Sequence, residues 1–179
     1  GPKPIDDVIT DFSITDNGGH DLNHKLDKWE TFRLNAKFSL PNNGVKAGDY
    51  TTIALPDKLA FGDVKPFELK DTKDQVVAKA VIDPQTRTVT LTYTKYVENH
   101  SNVTGSFYFY ARVNHEIVKE ETDVNFDISV NGKVKFHKKV GFKGVGKAEK
   151  TDITKSGWFD AQKGIHYKLP INRSGKNIP

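Results

Sequence analysis

The chain contains no cysteine and no methionine among its 179 residues. Without cysteine there can be no disulfide, no thiolate nucleophile and no cysteine-ligated zinc. That lack fits a cytosolic protein, and equally a surface protein of a Gram-positive bacterium that reaches the wall without disulfides. No run of eighteen apolar residues occurs, so no membrane insertion is expected. The absent initiator methionine and the leading Gly1-Pro2 read as a processed start, with residues 1–7 a protease scar and leader. Charge of one sign is not concentrated either. The net charge is +4, and the lysines are interleaved with Asp and Glu along the whole chain. A nucleic-acid binder gathers its basic charge on one face, so no nucleic-acid partner is expected. The one local basic run, Lys133 to Lys150, reads as a solvated strand and linker; an anionic partner site is the other reading.

What is present is period two. Phe32, Leu34, Ala36, Phe38 and Leu40 alternate with Arg33, Asn35, Lys37 and Ser39. Val89, Leu91 and Tyr93 alternate with threonines, Phe107 to Val113 with Tyr108, Tyr110 and Arg112, and Val124 to Val130 with Asn125, Asp127 and Ser129. Each run predicts a half-buried strand with one inner face. Further strands are predicted near Val8–Ile14, Tyr50–Leu55, Phe67–Lys70, Val76–Ile82 and Lys133–Phe142, with breaks at Asn17-Gly18-Gly19, Pro41 to Gly44 and Asp83-Pro84. Asn131-Gly132 between two alternating runs predicts a type I′ hairpin. No helical period persists over three turns; Asn114–Asp123 has room for one short helical turn. Many short strands at this spacing predict an all-β protein, an antiparallel β-sandwich with a single core over residues 8–142. Residues 143–154, rich in glycine and without alternation, read as a linker. Residues 155–179 hold one predicted strand, Ile165–Ile171, too little for a core. They read as the start of a second domain or as an extension packing back.

Chemistry is sparse. None of the six histidines falls in a compact ligand motif, and His20 and His24 read as exposed loop residues, so no metal and no cofactor is expected. The chain has no nucleophile elbow and no phosphate loop, and adjacent carboxylates such as Asp6-Asp7 point to opposite strand faces. An enzyme is not expected. Tyr108 and Tyr110 lie on the face opposite Phe107 and Phe109. They face solvent or a partner, unless a second layer or a cross-strand pair covers them.

The stretch Thr92-Tyr93-Thr94-Lys95-Tyr96-Val97-Glu98, followed by Asn102-Val103-Thr104-Gly105, resembles a motif of the MSCRAMM family of Gram-positive wall-anchored adhesins. It is two residues shorter between Thr94 and Tyr96. Gly48-Asp49-Tyr50 through Leu55-Pro56 resembles a second conserved strand of these domains. The resemblance covers Val8 to Phe142 and implies an immunoglobulin-like sandwich of the N1 type. Lys155-Ser156-Gly157 and Ile165 to Asn172 resemble the opening of the N2 domain in the collagen-adhesin class. In that class the lysine matching Lys155 forms an isopeptide bond to an asparagine, here beyond the chain. The resemblance implies an extracellular, wall-anchored module that binds a host matrix or plasma protein jointly with a following N2-like domain. Collagen is favoured, then fibrinogen or fibronectin. Tyr93, Tyr96, Tyr108 and Tyr110 are the candidate ligand-binding residues. The alternatives are a structural stalk or pilus-type spacer and a glycan-binding module.

Overall fold

Two sheets face each other through rows of phenylalanine and aliphatic side chains, as the alternating runs require. The structure is a computed structural model that describes residues 1–146 and the backbone of 172–173. The first sheet joins β1 (Ile9–Thr15), β2 (Phe32–Ser39) and β8 (Val103–Val113) in that order. The far edge of β8 is shared by β4 (Leu59–Phe61) and β11 (Asn172–Arg173). The second sheet runs β10 (Lys133–Phe142), β9 (Thr122–Val130), β3 (Tyr50–Ala54), β7 (Thr88–Tyr93), β6 (Val76–Asp83), β5 (Phe67–Lys70). Every strand pairing is antiparallel. This is the all-β, antiparallel sandwich that the alternation predicts.

Register decides which side chains meet inside. β2 pairs with β8 so that Leu34 lies opposite Phe109, and Ala36 opposite Phe107. From the other sheet, Ile53, Leu91, Phe126 and Ile128 complete one continuous cluster. Phe12 stacks edge-on against both Phe109 and Phe136, so the edges of the two sheets are stapled by aromatic contacts. At the β9–β10 hairpin, Asn131 (φ 50°) and Gly132 (φ 83°) both take positive φ, the type I′ turn expected there.

Three features depart from the sequence reading. β4 is three residues long, too short to show a period. A single helical turn, α1 (Tyr96–Asn99), follows β7, where Tyr96 and Val97 are buried in succession and period two cannot hold. In Asn114–Asp123 a turn forms, with the Ile117 and Val118 N–H groups donating to the Asn114 carbonyl, and β9 starts at Thr122. The ends of the sandwich also differ. Residues set aside as leader are built in from Lys3: Pro4 bridges Tyr50 in parallel, the Ile5 N–H donates to the Tyr50 carbonyl at 2.8 Å, and Ile5 is buried. Of the expected linker, residues 143–145 are gripped from two sides. The Lys143 N–H donates to Leu26 and the Val145 N–H to Lys119. Lys155 and the strand expected at Ile165–Ile171 lie outside the described residues.

Candidate ligand-binding face

The four tyrosines singled out from sequence separate into two pairs. Tyr93 ends β7 on its inner face and is 3% exposed. Its hydroxyl lies 2.6 Å from Thr51 Oγ1, which itself donates to the Ile5 carbonyl at 2.9 Å. Burial pushes the Tyr93 phenol far above its ordinary pKa. Tyr96 is also buried, stacked on the His100 imidazole at 3.7 Å between ring centres. Neither presents a side chain to a ligand in this conformation.

Tyr108 and Tyr110 are brought together. Both point outward from β8, with ring centres 5.7 Å apart and planes at 81°. Pairing places Asn35 opposite Tyr108 and Arg33 opposite Tyr110. Arg33 leans along the diagonal, so its guanidinium lies 3.9 Å from the Tyr108 ring centre and 6.0 Å from that of Tyr110. Further along β8, Arg112 stands 4.9 Å from the ring of Trp29, and Trp29 meets His115 edge-on at 4.3 Å. The outer face of the first sheet thus carries a strip of alternating aromatic and guanidinium groups.

Neighbouring loops shape this strip. Asn17 and Thr31 exchange two side-chain hydrogen bonds, of 2.8 and 3.1 Å, which tie the turn after β1 to the start of β2. The turn brings Gly19 against Arg33, where a Cβ would sit 3.1 Å from the guanidinium. Gly62, past the end of β4, donates to the Tyr110 carbonyl at 2.8 Å. A Cβ on Gly62 would meet Thr31 at 2.7 Å, so only glycine fits this approach. These walls leave Tyr110 4% exposed and Tyr108 half-buried. Burial raises the Tyr110 phenol, and the nearby Arg33 opposes that shift. Burial likewise lowers Arg112, with Glu116 opposing.

Sequence reasoning singled out the tyrosines but not Arg33, Trp29 and Arg112, which the fold places in the same strip. Arg33 sits at an outward position of a strongly alternating strand, which was a legible sign of exposure. Its partner was not legible, because that depends on the register between distant strands. The outer face of the second sheet is different in kind. It carries Thr52, Thr88, Thr90 and Thr92 with Tyr50, Lys79, Val81 and Asp83, and its strands hold no arginine among the described residues. Two shallow grooves of about 390 and 320 Å³ lie elsewhere, by Tyr50 and Asn131 and by Asp127 and His137. Among the described residues no three His, Asp or Glu side chains converge on a point.

Residues 25–124 match the bacterial Ig domain family, over half of the chain. A wall-associated protein of Streptococcus mutans is 30% identical over 178 residues, covering 93% of this chain and 38% of the relative. Serine-aspartate repeat-containing protein I of Staphylococcus saprophyticus is 34% identical over 118 residues, covering 62% of this chain and 6% of the relative. The chain therefore spans well under half of either relative. Among solved structures, the collagen adhesin of Staphylococcus aureus shares the fold, with a TM-score of 0.57 at 20% identity, over 83% of this chain and 47% of that one.

Proposed function

Because the chain belongs to the bacterial Ig domain family, we propose that it is one module of a cell-surface adhesin that presents the Arg33–Tyr108 strip to a host protein. The observation that carries this reading is the contrast between the two outer faces. One is mostly threonine with scattered charges and a single tyrosine, Tyr50, and has no arginine on its described strands. The other concentrates Tyr, Trp and Arg, the residue types that anchor protein interfaces. The Arg33 and Arg112 guanidiniums each lie beside a ring, 3.9 Å from the centre of Tyr108 and 4.9 Å from that of Trp29. The wall-associated streptococcal relative supports an extracellular, wall-anchored location. The likeness to a collagen adhesin favours collagen as ligand, with fibrinogen and fibronectin next. The strip forms one wall of the site, and a following N2-like domain supplies the other. Chemistry on a bound substrate forms no part of this role.

Surface plasmon resonance on immobilised collagen, fibrinogen and fibronectin tests this, using the chain alone and the longer natural protein that contains it. The longer protein binds one of the three and the chain alone binds weakly. Equal, tight binding by both would sink the two-walled site.

A glycan would need an open aromatic face for its sugar ring. Arg33 covers that face of Tyr108, which weighs against a glycan-binding module. A spacer role draws on a separate observation. The segment leaving the sandwich is gripped by Leu26 on one side and Lys119 on the other, and the Lys143 ammonium lies 3.2 Å from Asp27. Such a grip suits a stalk under tension. A stalk captures no ligand from plasma or matrix extract, which separates the two readings.

A further inference from the structure

The chain has three Asn-Gly steps, Asn17-Gly18, Asn43-Gly44 and Asn131-Gly132. Asn-Gly is the step most open to spontaneous deamidation, because glycine leaves its backbone nitrogen unshielded. At Gly132 the space where a Cβ would stand is empty. The three asparagines are held very differently. Asn43 is exposed, in a loop with an equally open glycine. Asn17 exchanges two side-chain hydrogen bonds with Thr31.

Asn131 does structural work with its carboxamide. Its Oδ1 accepts the Thr52 N–H at 2.8 Å, and its own N–H donates to the Thr52 carbonyl at 2.8 Å. Its Nδ2 donates to the Ile5 carbonyl at 2.9 Å and to Asp6 Oδ1 at 2.8 Å. One side chain thus stands in for a missing stretch of strand. It links the hairpin tip to β3 and holds down the N-terminal segment, residues 3–6 of which otherwise hydrogen-bond Asp49, Tyr50 and Thr51 among the described residues. Both contacts to that segment need a donor at Nδ2.

We propose that Asn131 is a deamidation site whose conversion releases residues 3–6 from β3. The Gly132 nitrogen attacks Asn131 Cγ and gives its proton to water, and Nδ2 departs as ammonia, leaving a five-membered succinimide. Water then adds to one of the two ring carbonyls and opens it to aspartate or isoaspartate. The net change is carboxamide plus water to carboxylate plus ammonia, with no other reactant. The product places an anionic oxygen where the donor stood, against the Ile5 carbonyl and the Asp6 carboxylate. Two attractions become two repulsions. Isoaspartate also adds a backbone methylene to a two-residue turn, which alters its length and geometry. The three bonds made by the carboxamide hold it in place, so Asn131 converts more slowly than Asn43 and only through transient opening of the hairpin tip.

The test is ageing of the intact chain at about pH 8.5 and 37 °C, followed by peptide mapping, with hydrogen exchange on Asn131→Asp. Asn43 gains about one mass unit first and serves as the internal reference; Asn131 follows. In Asn131→Asp the Ile5 and Tyr50 amides exchange about tenfold faster or more, while Leu34 and Phe109 in the core stay protected. Adding Asp6→Asn to that variant recovers part of the protection, because it removes the facing charge. Complete conversion at Asn43 with none at Asn131 would overturn the proposal. So would wild-type protection of Ile5 and Tyr50 in Asn131→Asp.

Discussion

Arg33 stacks its guanidinium 3.9 Å from the ring centre of Tyr108, on the outward face of two strands that are neighbours in the sheet. The contact is a diagonal one: Tyr110, not Tyr108, lies directly across from Arg33. Gly62 approaches Thr31 and Tyr110 closely, and Gly19 lies beside the Arg33 guanidinium, where any Cβ would press on these side chains. Arg33 is half-buried against an aromatic ring, which limits the rotamer entropy it has left to lose on binding.

Tyr93 separates packing from binding. Thr51 donates to the Ile5 carbonyl, so the Tyr93 hydroxyl donates to Thr51. Tyr93→Phe removes that bond and leaves the ring in place. The expected loss is about 1 kcal/mol, read as a fall of about 2–4 °C in melting temperature. Ligand binding should not change. A Tyr93→Phe variant with wild-type stability and lost binding would show that this tyrosine reaches a ligand after all.

Gly144 fixes where the chain leaves the sandwich. Its φ is +82°, and a Cβ would stand 2.7 Å from the Glu121 backbone nitrogen and 3.0 Å from the Lys119 carbonyl. Gly144→Val should cost about 2–3 kcal/mol, from backbone strain and a forced shift of that loop. Gly146 also has positive φ, but nothing lies within 4 Å of its Cβ position. Gly146→Ala should cost about 1 kcal/mol. Urea midpoints of the two variants give the comparison; equal values would mean the grip on the exit is not stabilising.

His115 gives the stability a pH dependence near neutrality. It is buried against Trp29, and its Nδ1 has no hydrogen-bond partner among the described residues. Burial, with Arg112 and Lys28 nearby, holds its pKa below the ordinary value of 6.5; Glu116 and the Lys28 backbone oppose. A depressed folded pKa means that the unfolded chain binds the proton more readily. The associated stability is therefore full above about pH 6.5 and is lost as the pH falls through the folded value. Asp49 is held low chiefly by the Lys46 N–H, and Asp16 and Asp83 also by backbone N–H groups. Their contributions persist until about pH 4, below the range in which His115 acts. Melting temperature should fall from about pH 7 to 5 in the wild type and fall less in His115→Phe. Parallel curves would refute the assignment.

The strands were legible wherever one face is buried and the other solvated. β2, β7, β8 and β9 all show clean alternation, and each occupies the core as that alternation requires. The same pattern already placed Tyr93 inward with Val89 and Leu91; the family motif alone made it a ligand contact. Tyr110 shows the limit of periodicity. Period two says which face a residue takes, not whether a loop such as Gly62 will cover it. Asn131 marks the limit of turn chemistry. Its dipeptide gave the hairpin, while its grip on Ile5 and Asp6 depends on a segment at the other end of the chain.

The most direct measurement is surface plasmon resonance on immobilised collagen, fibrinogen and fibronectin with the longer natural protein, comparing wild type with Arg33→Ala and Tyr108→Ala. Circular dichroism and melting should show both variants folded, since a half-exposed cation–π pair contributes only about 0.5–1 kcal/mol to stability. If the strip is the ligand wall, each substitution weakens binding about tenfold or more, as loss of an interface anchor does. Wild-type affinity in both variants would contradict the assignment of this face.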